Sequence, residues 1–257
     1  MTAAPYIWYE LMTTDVAAAK EFYGNVAGWS FADNGQSALP YTHISAGDDQ
    51  VGGLMALTGE AAANGARPAW FGYIKVDDVD ATVAAIVADG GTVHMPPTDV
   101  PVAGRIAMVT DPQSVPFYVI APDGEGESKA FLSVPTLGHF AWNELYAGDL
   151  TTVLPFYQKH FGWEMLDAMD MGPMGQYQIY GLDDGTGLGG MMTKPAEMPR
   201  PMWLYYIGVE DCDAALQRAT DAGANIIHGP SEVPGGLFIF QGIDPQGAMF
   251  ACVGPKV

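Results

Sequence analysis

Trp8-Tyr9-Glu10-Leu11-Met12-Thr13-Thr14-Asp15 runs on to Phe22-Tyr23 and Gly28-Trp29. The same order returns at Trp142-Asn143-Glu144-Leu145-Tyr146-Ala147-Gly148-Asp149, Phe156-Tyr157 and Gly162-Trp163. In both stretches a tryptophan and a glutamate stand two residues apart, and an aspartate precedes the Phe-Tyr pair by seven residues (22 minus 15, and 156 minus 149). Aromatic and β-favouring residues ending in Asp before a helical run read as strand, N-cap and helix. The chain is therefore a duplication, and its fold follows from one copy.

Working outward, Asp15 caps a helix that Gly28 stops, and strands are expected at 29–33, 39–46 and 50–57. Asn34-Gly35 and Gly47-Asp48-Asp49 are the turns between them. That unit is βαβββ. After a connector at 58–68 it repeats: strand Ala69–Val76, the Asp77-Asp78 turn, helix Val79–Ala88 ended by Gly90-Gly91, then strands near 91–95, 104–110 and 115–121. Asp111-Pro112-Gln113-Ser114 turns the last hairpin.

A polar stretch, 123–137, carries no periodicity and reads as a linker between modules at 1–122 and 138–257. Pro68–Pro122 overlays Pro201–Pro255 without a gap at a shift of 133 (203 minus 70 for the tryptophans). In the first units the shift grows from 134 (142 minus 8) to 137 (189 minus 52), which puts the length differences in hairpin turns. The expected fold is α+β: four βαβββ units in two tandem modules. Helices would cover one face of each mixed sheet, and the other face would curl around a cavity.

Ten Lys and Arg against thirty Asp and Glu give a formal charge of −20. That repels phosphate backbones and anionic lipid, so neither nucleic acid nor a membrane surface is an expected partner. The basic residues are scattered and form no anion site. Cys212 and Cys252 imply no disulfide framework, and no apolar run reaches the eighteen residues or so that a span needs. A cytoplasmic protein is expected.

The βαβββ units, the Asp-to-Phe-Tyr spacing, the Gly-Trp pair and Val76-Asp77-Asp78-Val79-Asp80-Ala81 together make the chain resemble the vicinal oxygen chelate superfamily. That group includes glyoxalase I, bleomycin-resistance proteins and extradiol dioxygenases. The resemblance covers nearly the whole sequence and implies a cup for a small molecule in each module. It also implies where a metal would be held: at Trp8, Phe71 and Tyr118 in the first module, and at Trp142, Leu204 and Ala251 in the second. None of these is His, Glu or Asp. No metal and no other cofactor is therefore expected; a divalent metal on non-standard ligands such as Glu10 and His43 is the alternative.

Glu10 and Glu144 share a strand face with the tryptophan two residues before, the cup side by the resemblance, where desolvation would raise a carboxyl toward the general-base range. A structural role, accepting hydrogen bonds from backbone or tyrosine hydroxyls, accounts for them equally well. His43 is the histidine that falls near the first cup, as an acid–base partner of Glu10 or a wall residue. Trp8, Tyr41, Phe71, Tyr73 and Tyr118 would line the first cup with aromatic faces, and Trp142 and Tyr206 the second, which makes the first module the better lined. Gly52-Gly53 and Gly189-Gly190 read as a β-bulge or tight hairpin; Asp15, Asp77, Asp111 and Asp244 read as caps and turns.

The expected function is binding of a small, largely apolar or aromatic molecule, with carboxylate acid–base chemistry if the protein is an enzyme. Such an enzyme would be a glyoxalase-like lyase or isomerase, or a dioxygenase-like oxidoreductase. A sequestering, resistance-type protein is the non-catalytic reading. Module pairing within one chain or across a homodimer is equally compatible with the repeat.

Overall fold

The structure is a computed structural model that describes residues 3–35, 40–124 and 126–257. Leu39, the first residue of the strand expected at 39–46, lies outside the described residues. The first half of the chain forms β1 (Tyr6–Thr13), α1 (Val16–Ala27), β2 (Ser30–Asp33), β3 (Thr42–Ala46), β4 (Asp49–Ala56), α2 (Gly59–Ala63), β5 (Ala69–Lys75), α3 (Val79–Ala88), β6 (Thr92–Val100), β7 (Gly104–Thr110) and β8 (Pro116–Pro122). The second forms β9 (Phe140–Ala147), α4 (Leu150–Phe161), β10 (Glu164–Asp170), β11 (Gln176–Gly181), β12 (Gly187–Thr193), β13 (Met202–Gly208), α5 (Cys212–Asp221), β14 (Asn225–Val233), β15 (Leu237–Ile243) and β16 (Met249–Gly254). The short α2, capped by Thr58, lies in what the sequence presents as a plain connector.

The strands make two eight-stranded sheets, ordered β2-β3-β4-β1-β5-β8-β7-β6 and β10-β11-β12-β9-β13-β16-β15-β14. The second order is the first with eight added to each number, so the duplication extends to topology. Each sheet is mixed: β1 runs parallel to β4 and β5 parallel to β8, and the hairpin partners are antiparallel.

The helices begin where the sequence places them, and for one reason. Asp15, Asp78, Asp149 and Asp211 are N-caps in extended backbone, and each side chain accepts from an amide in the first turn. Such a cap contributes about 1 kcal/mol. Of the Asp77-Asp78 pair, Asp78 is the cap. Gly28 and Gly162 end α1 and α4 in the left-handed region, at φ 70° and 65°.

The packing gathers into two compact units, each drawing on both halves of the chain. One comprises Met1–Ile7, Phe71–Glu127 and Trp142–Trp203; the other comprises Trp8–Trp70, Ser128–Ala141 and Leu204–Val257. In the second, the Tyr23 hydroxyl donates to Asp244 Oδ2 at 3.0 Å and accepts from the Trp70 indole at 2.9 Å, while the Trp29 ring stacks on Tyr23. In the first, the Tyr157 hydroxyl donates to Asp111 Oδ2 at 3.0 Å, and the Trp163 ring lies on Tyr157 at 5.5 Å and 8°. Trp29 Nε1 donates to the Gly138 carbonyl and Trp163 Nε1 to that of Ala4.

The Phe-Tyr, Gly-Trp and Asp-Pro-Gln motifs are thus one structural lock made twice, each time joining a residue of one half to a residue of the other. Asp111 and Asp244, which the sequence presents as turn residues, do hold their turns: Oδ1 of each accepts from amides in the following residues. Both are also nearly fully buried, at 1% and 3% exposure, and burial pushes both carboxyls above their ordinary value.

Among the described residues no helix is long and apolar enough to cross a membrane. Within the expected linker Ala130 is fully buried and Phe131 bridges to Phe140, so its middle is tied down.

Candidate functional site

Two strand positions recur at the heart of each copy. Gly53 of β4 stands opposite Glu10 of β1 on one side and His43 of β3 on the other, making one row across three strands. In the second copy Gly190 stands opposite Glu144 and Ile179. The glycines are there because a tyrosine ring crosses them. A Cβ on Gly53 would lie 1.9 Å from the Tyr41 hydroxyl oxygen, and one on Gly190 would lie 2.1 Å from Tyr177 Cζ. Their neighbours Gly52 and Gly189 face backbone instead, with Tyr9 O at 2.3 Å and Asn143 O at 1.8 Å from the added carbon. The expected bulge does sit beside each pair, at the register shifts between Ile44 and Ser45 and between Tyr180 and Gly181. Close approach, rather than that bulge, is what demands the glycines.

The crossing tyrosine ties the site together. Trp142 Nε1 donates to the Tyr177 hydroxyl at 2.8 Å, and Tyr177 is hydrogen-bonded to the Glu144 carboxyl, which is 6% exposed. Burial first, then the Glu144 charge, pushes the Tyr177 hydroxyl well above its ordinary value, so it keeps its proton. In the first copy Trp8 Nε1 donates to the Tyr41 hydroxyl at 2.9 Å, and Glu10 is 4% exposed. His43 meets Trp8 and Tyr41 edge-on, at 6.2 and 5.3 Å between centroids, and its Nδ1 is buried with no hydrogen-bond partner. Gly53 separates His43 from Glu10 by two strand spacings, about 10 Å of backbone, and the Tyr41 hydroxyl lies over that glycine.

The remaining expected residues fall into separate groups. Tyr73 and Tyr118 pair in register and stack at 4.3 Å and 1°, and Phe71 meets Tyr118 edge-on at 6.0 Å. Tyr206 stands opposite Ala251 and accepts a 2.7 Å hydrogen bond from Gln241 Nε2.

Sequence reasoning passes over Tyr177 and Gln241. Tyr177 was within reach: its offset from Tyr41 is 136 (177 minus 41), inside the 134-to-137 drift of the first units. Gln241 faces Met108 at the 133 shift (241 minus 108), and an apolar residue in one copy gives no hint of a polar role in the other.

Among the described residues no three of His, Cys, Asp and Glu are placed to hold a metal ion. At the positions where the resemblance looks for ligands, both indole N–H groups are already donating to tyrosines.

A duplicated βαβββ pair defines the class, and comparison with known proteins agrees. The sequence model of the Glyoxalase/Bleomycin resistance protein/Dioxygenase superfamily matches residues 6–117 and 136–251. The chain belongs to that superfamily.

It is 33% identical over 262 residues to CFP32 of Mycobacterium tuberculosis (strain CDC 1551 / Oshkosh), which carries a provisional glyoxylase name; the match covers 96% of this chain and 94% of that protein. It is 30% identical over 260 residues to the anthracycline biosynthesis protein DauV of Streptomyces sp. (strain C5), covering 96% and 91%. Among solved structures, the Mn(II)-bound glyoxalase from Novosphingobium aromaticivorans superposes with a TM-score of 0.67 at 16% identity, covering 100% of this chain and 83% of that one. The 2,3-dioxygenase LapB from Pseudomonas sp. KL28 superposes at 0.65 and 14%, covering 100% and 94%. At those identities the likeness is one of fold.

Proposed function

We propose that this protein binds a small, planar, largely apolar molecule against its sheet-borne aromatic residues and does so without the metal triad common in its superfamily. The observation that carries this reading is the direction of one hydrogen bond, found in both copies. At the first-strand ligand position the indole nitrogen donates to a tyrosine hydroxyl, and an indole nitrogen has no lone pair to offer a cation. Phe71, Leu204 and Ala251 have no side-chain donor atom, and Tyr118 is stacked on Tyr73. This donor set does not fit a divalent metal. The name of the relative DauV supports the ligand class, since an anthracycline is itself a flat polycyclic aromatic.

Where the protein is catalytic, Glu10 and Glu144 are the groups to accept a proton, Glu144 through its hydrogen bond to Tyr177. A metal held by Glu10 and His43 is the competing reading, favoured by the unpartnered Nδ1 of His43.

The purified protein is expected to hold no stoichiometric metal by elemental analysis. Its tryptophan fluorescence should be quenched by 2-naphthol equally before and after chelation. Stoichiometric metal lost in the Glu10→Gln variant would sink the metal-free reading. Quenching that survives Glu10→Gln and Glu144→Gln marks a binder, and a turnover lost in either marks an enzyme.

A further inference from the structure

The duplication supplies an internal control, because the same glutamine is held in one module and released in the other. Gln113 follows the buried Asp111 and staples its turn to the start of α4. Its Nε2 donates to the Asp149 carbonyl at 2.7 Å and to Thr152 Oγ1 at 2.8 Å, and its Oε1 accepts from the Asp149 amide at 3.0 Å. At the 133 shift the second module has Gln246 (246 minus 113), and the helix beside it is α1, which aligns with α4 at a shift of 134 (156 minus 22).

Every contact of that staple is removed in the second version, by three changes at the 134 shift (148 minus 14, 152 minus 18, 147 minus 13). Thr14 stands where the first version has Gly148. A Cβ on Gly148 would lie 2.9 Å from Gln113 Oε1, so a threonine there crowds the glutamine out of its place. Ala18 replaces Thr152 and has no hydroxyl to accept. Thr13 replaces Ala147, and its Oγ1, not a glutamine oxygen, takes the Asp15 amide at a long 3.5 Å. Gln246 Oε1 is consequently buried with no hydrogen-bond partner. A buried orphan acceptor costs stability that an apolar side chain of the same size would not, so the fold gains nothing from this oxygen.

Gln246 lines a cavity of about 530 Å³ between α1, α5 and the β15–β16 turn. That volume lies in the usual range of small-molecule sites. Phe22, Ala18 and Pro245 give it apolar wall, and Glu21 and Asp221 bring carboxylates to it. Arg218, the cation in its lining, is already engaged: its Nε and Nη2 donate to the carbonyls of Asn25 and Val26, at 2.8 and 3.1 Å, near the end of α1. The cavity therefore offers acceptors, a buried amide oxygen and two carboxylates, against one committed guanidinium. In the first module Pro155 and Ala88 stand at the two carboxylate positions (155 minus 21 is 134, 221 minus 88 is 133), so the acidic lining also belongs to the second version alone.

We propose that this cavity binds a small organic amine. The ammonium group donates to Gln246 Oε1 and faces Glu21 and Asp221, and the apolar body of the ligand lies on Phe22 and Pro245. The site is separate from the aromatic residues proposed above to hold a planar molecule, and either can fail without the other.

Three probes of one shape test the site by isothermal titration calorimetry on the full chain: 2-phenylethylamine, 2-phenylethanol and phenylacetate. The wild type should bind the amine about tenfold more tightly than the alcohol, the difference between a charge-assisted and a neutral hydrogen bond, and phenylacetate most weakly. Gln246→Met should weaken the amine about tenfold without lowering the unfolding temperature, because it removes an orphan and not a partner. Thr14→Gly with Ala18→Thr rebuilds the staple of the first module; it should recapture the amide and weaken the amine by a similar factor in a protein of unchanged unfolding temperature. Glu21→Gln should narrow the preference for amine over alcohol.

If Gln246→Met does not fold, the Thr14→Gly/Ala18→Thr protein decides alone. A wild type that binds none of the probes overturns the proposal. So does one that prefers phenylacetate, which would make Arg218 the recognising group. Amine binding kept at full strength by both Gln246→Met and Thr14→Gly/Ala18→Thr overturns it as well.

Discussion

Gly189→Ala should lower the unfolding temperature by roughly 6–12 °C, the shift that about 3 kcal/mol makes in a chain of this size. The added Cβ would stand 1.8 Å from the Asn143 carbonyl oxygen and 2.8 Å from its carbon. Asn143 is the register partner of Gly189 in the parallel pair β9–β12, so relief requires two interior strands to separate. Gly190→Ala, one residue on, makes the informative comparison. Its Cβ would meet the Tyr177 ring, which can swing away, but only by leaving the Trp142 indole and Glu144. The expected loss is smaller, about 1–2 kcal/mol, accompanied by a change in tryptophan emission as Trp142 loses its acceptor. Differential scanning calorimetry with fluorescence would check both, and equal melting temperatures for the two variants would contradict the distinction between a backbone and a side-chain neighbour.

Asp244→Ala and Asp111→Ala should each remove about 3 kcal/mol, because each leaves several buried donors without an acceptor. Asp244 serves the amides of Gln246, Gly247 and Ala248 and the Tyr23 hydroxyl; Asp111 serves those of Gln113 and Val115 and the Tyr157 hydroxyl. The same carboxyls predict a pH dependence. Burial raises each folded-state pKa above its ordinary 3.8, so the folded protein binds the proton more tightly than the unfolded chain does. That contribution is complete below about pH 3.8 and is lost as pH rises through the raised value. The chain has many other carboxylates, and exposed ones such as Asp33 and Asp80 are shifted the opposite way by Lys20 and Arg105. The measurement is therefore the stability of wild type minus that of Asp244→Asn, by urea unfolding from pH 4 upward. The difference should shrink as pH rises and then level off; a difference that grows would refute the raised pKa.

Asp15 caps α1 and Gly28 ends it where a reading of neighbouring residues puts them, and Asp149 and Gly162 do the same for α4, whereas at α3 the cap is Asp78 and not Asp77. Glu10 and Glu144 were equally visible, since two-residue strand parity and burial alone place them beside a tryptophan. The partner that turns each pair into a cluster was visible in one copy only. Tyr41 was named from its strand, whereas Tyr177 needed the length drift of the repeat to be followed through a hairpin. His43 was read as an acid–base partner of Glu10 or a wall residue, and the Tyr41 hydroxyl lies over the glycine between the two.

What the sequence alone determined is the duplication, the order of the βαβββ elements and where the first helix begins and ends, because caps, turns and alternation depend on residues a few positions apart. What only the tertiary structure decided is which distant groups meet. Tyr23 pairs with Asp244 and Tyr157 with Asp111 across sequence separations of 221 and 46. Tyr118 stacks on Tyr73, and Gln241 donates to the Tyr206 hydroxyl. Those pairings come from strand order and register, which the whole sheet sets together. A local pattern can show that a ring or a carboxylate points inward, but not what it will find there.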